Sequence, residues 1–137
     1  MTEALVGAEN LLLLVEDDSS LRRCLGKFLD QEGYSYQSCS TAAQALAIAD
    51  IAHPDVVILE YHLPDANGCS LIEKLNLVSP GAVVIVISEF DFQAIAEDLY
   101  RVKIEKFLKK PFDLVDFENA LCSACAKAGG DSRRVNG

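Results

Sequence analysis

Basic side chains are scarce in this chain: 12 lysines and arginines stand against 21 aspartates and glutamates in 137 residues, a net charge of −9. Such a surface repels phosphate backbones and anionic lipid headgroups, so direct binding to nucleic acid or to a membrane is not expected. No apolar run approaches the ~18 residues of a membrane span. No basic stretch leads into an apolar run at the start, so no secretory leader is expected. A cysteine framework is also missing. Cys24, Cys39, Cys69, Cys122 and Cys125 are odd in number and scattered, and a chain of this length needs no covalent staples. A reduced, cytoplasmic setting is expected. Cys122-Ser-Ala-Cys125 has CxxC spacing, but no second such pair and no histidine pair completes a zinc site. Near the end of a helical pattern, that spacing suits two inward-facing small residues. Internal repeats and low-complexity tracts are absent as well.

What the chain does have is an ordinary globular composition, 50% apolar and 24% charged. Its length corresponds to one domain at ~100–200 residues per domain. That domain is expected over residues 10–128, with residues 1–9 and 129–137 as flexible ends.

Leu11–Val15 is a continuous apolar run that stops at acids. Val56–Leu59 and Ala82–Ile87 are similar runs. Apolar on both faces, they predict central strands of a parallel sheet covered on both sides. The shorter, more polar Tyr34–Ser38 and Lys106–Lys109 predict edge strands. Between them fall helical patterns. Leu21, Leu25, Phe28 and Leu29 mark the first, with Ser19 or Ser20 as its N-cap and Gly33 at its end. Thr41 caps an Ala-rich second helix that stops before Pro54. Leu71, Ile72, Leu75 and Val78 mark the third, Phe92, Ile95, Ala96 and Leu99 the fourth, and Leu114, Phe117, Leu121 and Cys125 the fifth.

Strand and helix thus alternate throughout, which implies an α/β fold with right-handed crossovers. At this length the natural form is a flavodoxin-like (βα)5 doubly wound parallel sheet, strand order 2-1-3-4-5. Its crevice lies at the carboxyl ends of the strands, beside the switch point between the first and third. There the first strand ends in Glu16-Asp17-Asp18, the third in Glu60, the fourth in Ser88 and the fifth in Lys110, before Pro111. Clustered carboxylates raise one another's pKa unless a cation intervenes. Hard oxygen ligands suit Mg²⁺. Lys110 and Ser88 suit an anionic oxygen. Singly, each feature has a bland reading: helix N-termini favour acids, and an edge lysine or loop serine is commonplace. Their joint occurrence at successive strand ends weighs against coincidence.

The segments LLLLVEDDSSLRRCL, PDVVILEYHLPDANG, VVIVIS and KFLKKPF resemble the CheY-like receiver domains of two-component response regulators. The most telling positions are Leu63-Pro64 and Asn67-Gly68 after the third-strand acid, and Lys110-Pro111-Phe112 after the fifth strand. The resemblance covers about residues 10–127. It implies phosphorelay signalling, in which an acid at the end of the third strand accepts a phosphoryl group from a histidine kinase with the help of Mg²⁺. It assigns Glu16, Asp17, the phosphoacceptor position Glu60 and the His62 main-chain carbonyl to the metal. Ser88 and Lys110 would hold phosphoryl oxygens, and Phe107 would be the aromatic that moves with state. Partners would read the face made by the fourth helix, fifth strand and fifth helix, here Phe92 to Lys127.

The phosphoacceptor position departs from the pattern, holding Glu60 where the family has Asp. Leu63-Pro64 and Asn67-Gly68 fix that alignment, and no aspartate lies within one residue of it. The extra methylene carries the carboxylate about 1.5 Å further into the crevice. Near-attack geometry is sensitive on that scale, so ordinary phosphorylation is not expected. A Glu60–Lys110 pair would instead fill part of the phosphoryl space, one charge standing in for the roughly two of a phosphate. Three outcomes stay open: an active-like mimic, a frozen inactive state, or a docking platform without a switch. Smaller departures are Lys103-Ile104 where small residues are usual, Ser88 for Thr, and Phe107 for Tyr. The last loses its polar handle and should prefer burial.

The expected function is therefore that of an atypical receiver acting through protein–protein contacts rather than as an enzyme. A histidine kinase would be a vestigial partner, and an output protein would be met in trans unless the sequence is a piece of a longer chain, since no effector segment follows residue 128. Pairing with a second copy through the same face is permitted. The alternatives are a conventional phosphorylated receiver, a flavodoxin-like small-ligand binder, and a metal-dependent phosphotransferase using Asp17 or Asp18. A Glu-Asp-Asp turn is a poor phosphate loop, which weighs against the second. The third lacks a substrate-covering insertion.

Overall fold

Continuous apolar runs become the middle of a sheet covered on both faces. The computed structural model describes residues 10–128, in which strands and helices alternate. They are β1 (Leu11–Val15), α1 (Ser19–Gln31), β2 (Ser35–Cys39), α2 (Ala42–Ala52), β3 (Val56–Glu60), α3 (Gly68–Val78), β4 (Val83–Ser88), α4 (Phe92–Leu99), β5 (Lys106–Lys109) and α5 (Leu114–Ala128). The strands are all parallel in the order β2-β1-β3-β4-β5, the expected flavodoxin-like topology. The flexible ends expected over 1–9 and 129–137 lie outside the described residues.

Side chains alternate across the sheet with a period of two and so feed two cores. Leu12, Leu14, Val56, Ile58, Ile85 and Ile87 meet Leu25 and Leu29 of α1 and Phe117, Leu121 and Ala124 of α5. Leu13, Val15, Val57, Leu59, Val84 and Val86 meet α2, α3 and α4. Each fully buried aliphatic side chain contributes about 1.5–3 kcal/mol. No helix among the described residues is long and apolar enough to cross a membrane.

Several boundaries differ from expectation. The first helix is capped by Asp18, not by Ser19 or Ser20. Its carboxylate accepts from the Ser20 and Leu21 N–H groups at 2.9 and 3.1 Å, and a charged acceptor makes the stronger cap. α3 begins at Gly68, a turn before its apolar periodicity, because Asn67 caps it through the Ser70 N–H at 2.9 Å. Gly68 is needed there, since a Cβ would fall 2.5 Å from Cδ1 of Tyr61. β2 and β4 each lie one residue later than the apolar pattern places them. Cys125 faces inward but Cys122 is exposed. The buried stripe of α5 runs Phe117, Ala120, Leu121, Ala124, Cys125, and position 122 falls just off it.

Candidate functional site

The strand order carries Glu16, Glu60 and Lys110 to one end of the sheet, and their side chains meet there. Glu60 closes β3 and is almost wholly buried; Glu16 follows β1 and is fully buried. The Lys110 main-chain N–H donates to the Ser88 carbonyl at 2.8 Å, which holds the lysine beside the end of β4. The Lys110–Pro111 peptide is cis. From there the ammonium reaches Glu60 Oε1 at 2.5 Å and the Glu16 oxygens at 3.1 and 3.3 Å. The remaining acceptors are used locally. Glu60 Oε2 takes the His62 N–H at 2.7 Å, and Glu16 Oε2 takes the Asp18 N–H at 3.1 Å.

Two buried carboxylates share one ammonium, so the crevice carries an excess negative charge. Burial pushes the Glu16 carboxyl up to about 7, against the lowering effect of the Asp18 N–H and of Lys110; the Glu60 charge adds to the rise. For Lys110, burial works against the ammonium. The hydrogen bond to Glu60 and then the Glu16 charge outweigh it and hold its pKa above the ordinary lysine value. The pH dependence has a definite sign. A carboxyl whose folded pKa is raised binds its proton more tightly in the native state, so its contribution is complete below the unfolded value and is lost as pH rises through the folded one. Glu16 is expected to lower stability by about 3 kcal/mol as pH climbs from about 4.5 through about 7. Urea unfolding over a pH series, beside Glu16→Gln, checks this: the variant should lose that downward slope, and identical slopes would contradict it.

Ser88 makes its contact within its own loop. It is fully buried, and its Oγ accepts the Phe90 N–H at 3.0 Å. The Glu60 arm is held by Lys110 and by the His62 N–H. Phe107 is half-buried rather than enclosed: it packs against the core on one side, and its ring meets Phe92 edge-on at 5.4 Å. Ile104 packs partly against the core beside α4.

Other residues shape the crevice through contacts that motif reading did not find. The His62 ring lies against Phe90 at 4.7 Å and Tyr61 at 4.9 Å, with Nδ1 3.9 Å from Glu60 Oε2. Tyr61, next to Glu60, donates its hydroxyl hydrogen to Asp98 of α4 at 3.1 Å. Arg22 donates to the Glu16 carbonyl at 2.6 Å. Asp65, in the loop after β3, accepts from Ala42 and Ala43 at the start of α2. Those N–H groups hold its carboxyl below the usual range. The position of an arginine in the first turn after the acid cluster was a signal for Arg22; nothing local in sequence marks the others.

A divalent cation can be tested against this geometry. One buried atom favours it: Glu16 Oε1 makes no hydrogen bond. Its charge is nevertheless met by Lys110 at 3.1 Å, off the hydrogen-bond direction. The Asp18 carboxylate is spent on capping α1, and Asp17 is exposed. Among the described residues, no three His, Cys, Asp or Glu side chains come together as a ligand set. The His62–Asn67 bridge is closed by the Leu63 N–H donating to the Ala66 carbonyl at 3.1 Å, so it does not occupy the His62 carbonyl. As arranged, these groups do not fit Mg²⁺.

A family model for the response regulator receiver domain matches residues 12–122. The chain is 29% identical over 124 residues to the photosynthetic apparatus regulatory protein RegA of Cereibacter sphaeroides, covering 88% of this chain and 67% of RegA. It therefore spans about two thirds of the length of that relative. Its fold is similar to a CheY-like receiver domain protein from Methanospirillum hungatei JF-1, with TM-score 0.80, 21% identity, and 93% and 98% of the two chains covered. It is similar also to the receiver domain of the sensor histidine kinase PA1611 from Pseudomonas aeruginosa PAO1, with TM-score 0.75, 19% identity, and 84% and 97% covered. That domain has a magnesium ion coordinated in its active site cleft.

Proposed function

The chain belongs to the response regulator receiver domain family, and from that premise we propose that it is a receiver closed to phosphoryl transfer, which signals through protein contacts. The observation that carries this reading is the engagement of both Glu60 oxygens, one by the Lys110 ammonium at 2.5 Å and one by the His62 N–H at 2.7 Å. A carboxylate attacks phosphorus through a free oxygen held in line with the leaving group. Each Glu60 oxygen is held by a donor that draws it from that line, and the extra methylene sets the carboxylate against the lysine that would otherwise steady the incoming group. The Ser88 hydroxyl accepts the Phe90 N–H and keeps its own proton as a donor, so the closure lies at Glu60 and Lys110 rather than at Ser88.

The crevice is thereby held in one state, and the chain serves as a signalling module rather than an enzyme. Its readable surface is the α4-β5-α5 face. There Phe92 and Phe107 form a partly exposed aromatic pair, and Val115 is well exposed. An output protein in trans is the partner proposed for this face, in the cytoplasm, with a histidine kinase contact as a vestige and self-pairing as the competing use. The acidic surface keeps nucleic acid and membranes out of that set. Amide NMR spectra recorded with beryllofluoride and Mg²⁺ test the reading, since beryllofluoride joined to a carboxylate has the tetrahedral shape and negative charge of an acyl phosphate. The amides of Glu60, Ser88 and Lys110 should keep their positions. A new set of shifts at these residues would overturn it.

A further inference from the structure

We infer that Lys110 is the resident cation of the crevice, its ammonium bridging Glu16 and Glu60 where a divalent ion would have to sit, so that it excludes Mg²⁺. The inference rests on reading Glu60 as the occupied phosphoacceptor position. Mg²⁺ demands a near-octahedral set of oxygens at about 2.0–2.1 Å. Both oxygens of Glu16 already have Nζ within 3.3 Å, and Glu60 Oε1 has it at 2.5 Å. The shared ammonium is largely shielded from water, with 16% of the side chain exposed. A divalent ion approaching Glu16 would come within a few ångströms of this charge in a site that screens poorly. Of the other carboxylates, Asp17 is exposed and two are committed. Asp18 caps α1, and Glu60 Oε2 holds the His62 N–H.

The glutamate is the reason for the arrangement. An aspartate at position 60 would draw its carboxylate back by about 1.5 Å. The ammonium would then lose its short contact and be free to swing off Glu16. A neutral side chain at position 110 would leave two adjacent carboxylates with no counter-ion at all, which is a cation site by charge and donor type.

The test is titration with MgCl2 alone, followed by calorimetry, on the wild type, Lys110→Met and Glu60→Asp, with melting curves confirming that each is folded. The wild type should show no binding at millimolar Mg²⁺. Lys110→Met should bind at least about tenfold more tightly, since removing a neighbouring like charge favours the bound cation. Glu60→Asp should gain binding in the same direction, and it decides the matter if Lys110→Met is unfolded. Wild-type binding comparable to that of the variants would overturn the inference, as would a failure of every folded variant to bind. Phosphodonor is absent throughout, so metal binding by the wild type would sink this inference while leaving the closure to phosphoryl transfer standing.

Discussion

Replacing Lys110 by methionine is expected to cost about 3–5 kcal/mol of stability near a pH of about 8, and much less near a pH of about 5. Methionine keeps most of the volume, so the loss is electrostatic. It leaves Glu16 and Glu60 buried beside each other without the ammonium that lies 2.5 Å from one and 3.1 Å from the other. Breaking a buried pair by removing one partner costs more than the pair contributed, because the other charge stays desolvated. Here the stranded group has an escape. Glu16 is already poised to hold a proton, its carboxyl pushed up to about 7 by burial. Without the lysine it rises further, so acidification neutralises the fault. Urea unfolding of wild type and variant at the two pH values measures the difference directly. A loss below about 1 kcal/mol at the higher pH, or equal losses at both, would contradict the shared-ammonium arrangement.

The second large effect lies behind the crevice. Phe117→Ala is expected to lower stability by about 3–5 kcal/mol. Phe117 is fully buried on α5 and touches aromatic rings from two other segments. Its ring meets Phe28 of α1 edge-on at 5.8 Å and stacks on Phe112 at 6.0 Å. Phe112 belongs to the turn that carries Lys110 and Pro111 out of β5. Emptying this position therefore removes more than transfer energy. It opens a cavity where α1, α5 and the lysine-bearing turn converge, and the surrounding helices can collapse only in part. Chemical unfolding gives the stability loss. A change smaller than about 1.5 kcal/mol would mean that the site closes over the gap, and that Phe112 does not depend on Phe117 for its place.

Much of this was legible in sequence, for identifiable reasons. β1 and β3 are buried on both faces, so every residue in Leu11–Val15 and Val56–Leu59 is apolar and the runs announce themselves. The strand order then follows from alternation and length, and it alone predicts that Glu16, Glu60 and Lys110 converge. Helix starts were harder where several capping residues adjoin. Asp18, Ser19 and Ser20 all qualify, and the choice is made by which side chain reaches the Ser20 and Leu21 N–H groups. Ser88 shows the limit for site residues. Its position at the end of β4 is readable, but its rotation is set by the Phe90 N–H two residues on. The His62–Phe90 and Tyr61–Asp98 contacts join loops and helices distant in sequence and carry no local pattern.

The closure of the crevice to phosphoryl transfer is tested most directly by intact-protein mass after incubation with acetyl phosphate and Mg²⁺, wild type beside Glu60→Asp. Shortening the arm by one methylene frees the acceptor oxygen and the lysine together, so Glu60→Asp should gain the mass of one phosphoryl group while the wild type gains none. A wild type that is labelled as readily as Glu60→Asp would show that Glu60 is a working acceptor and contradict the account.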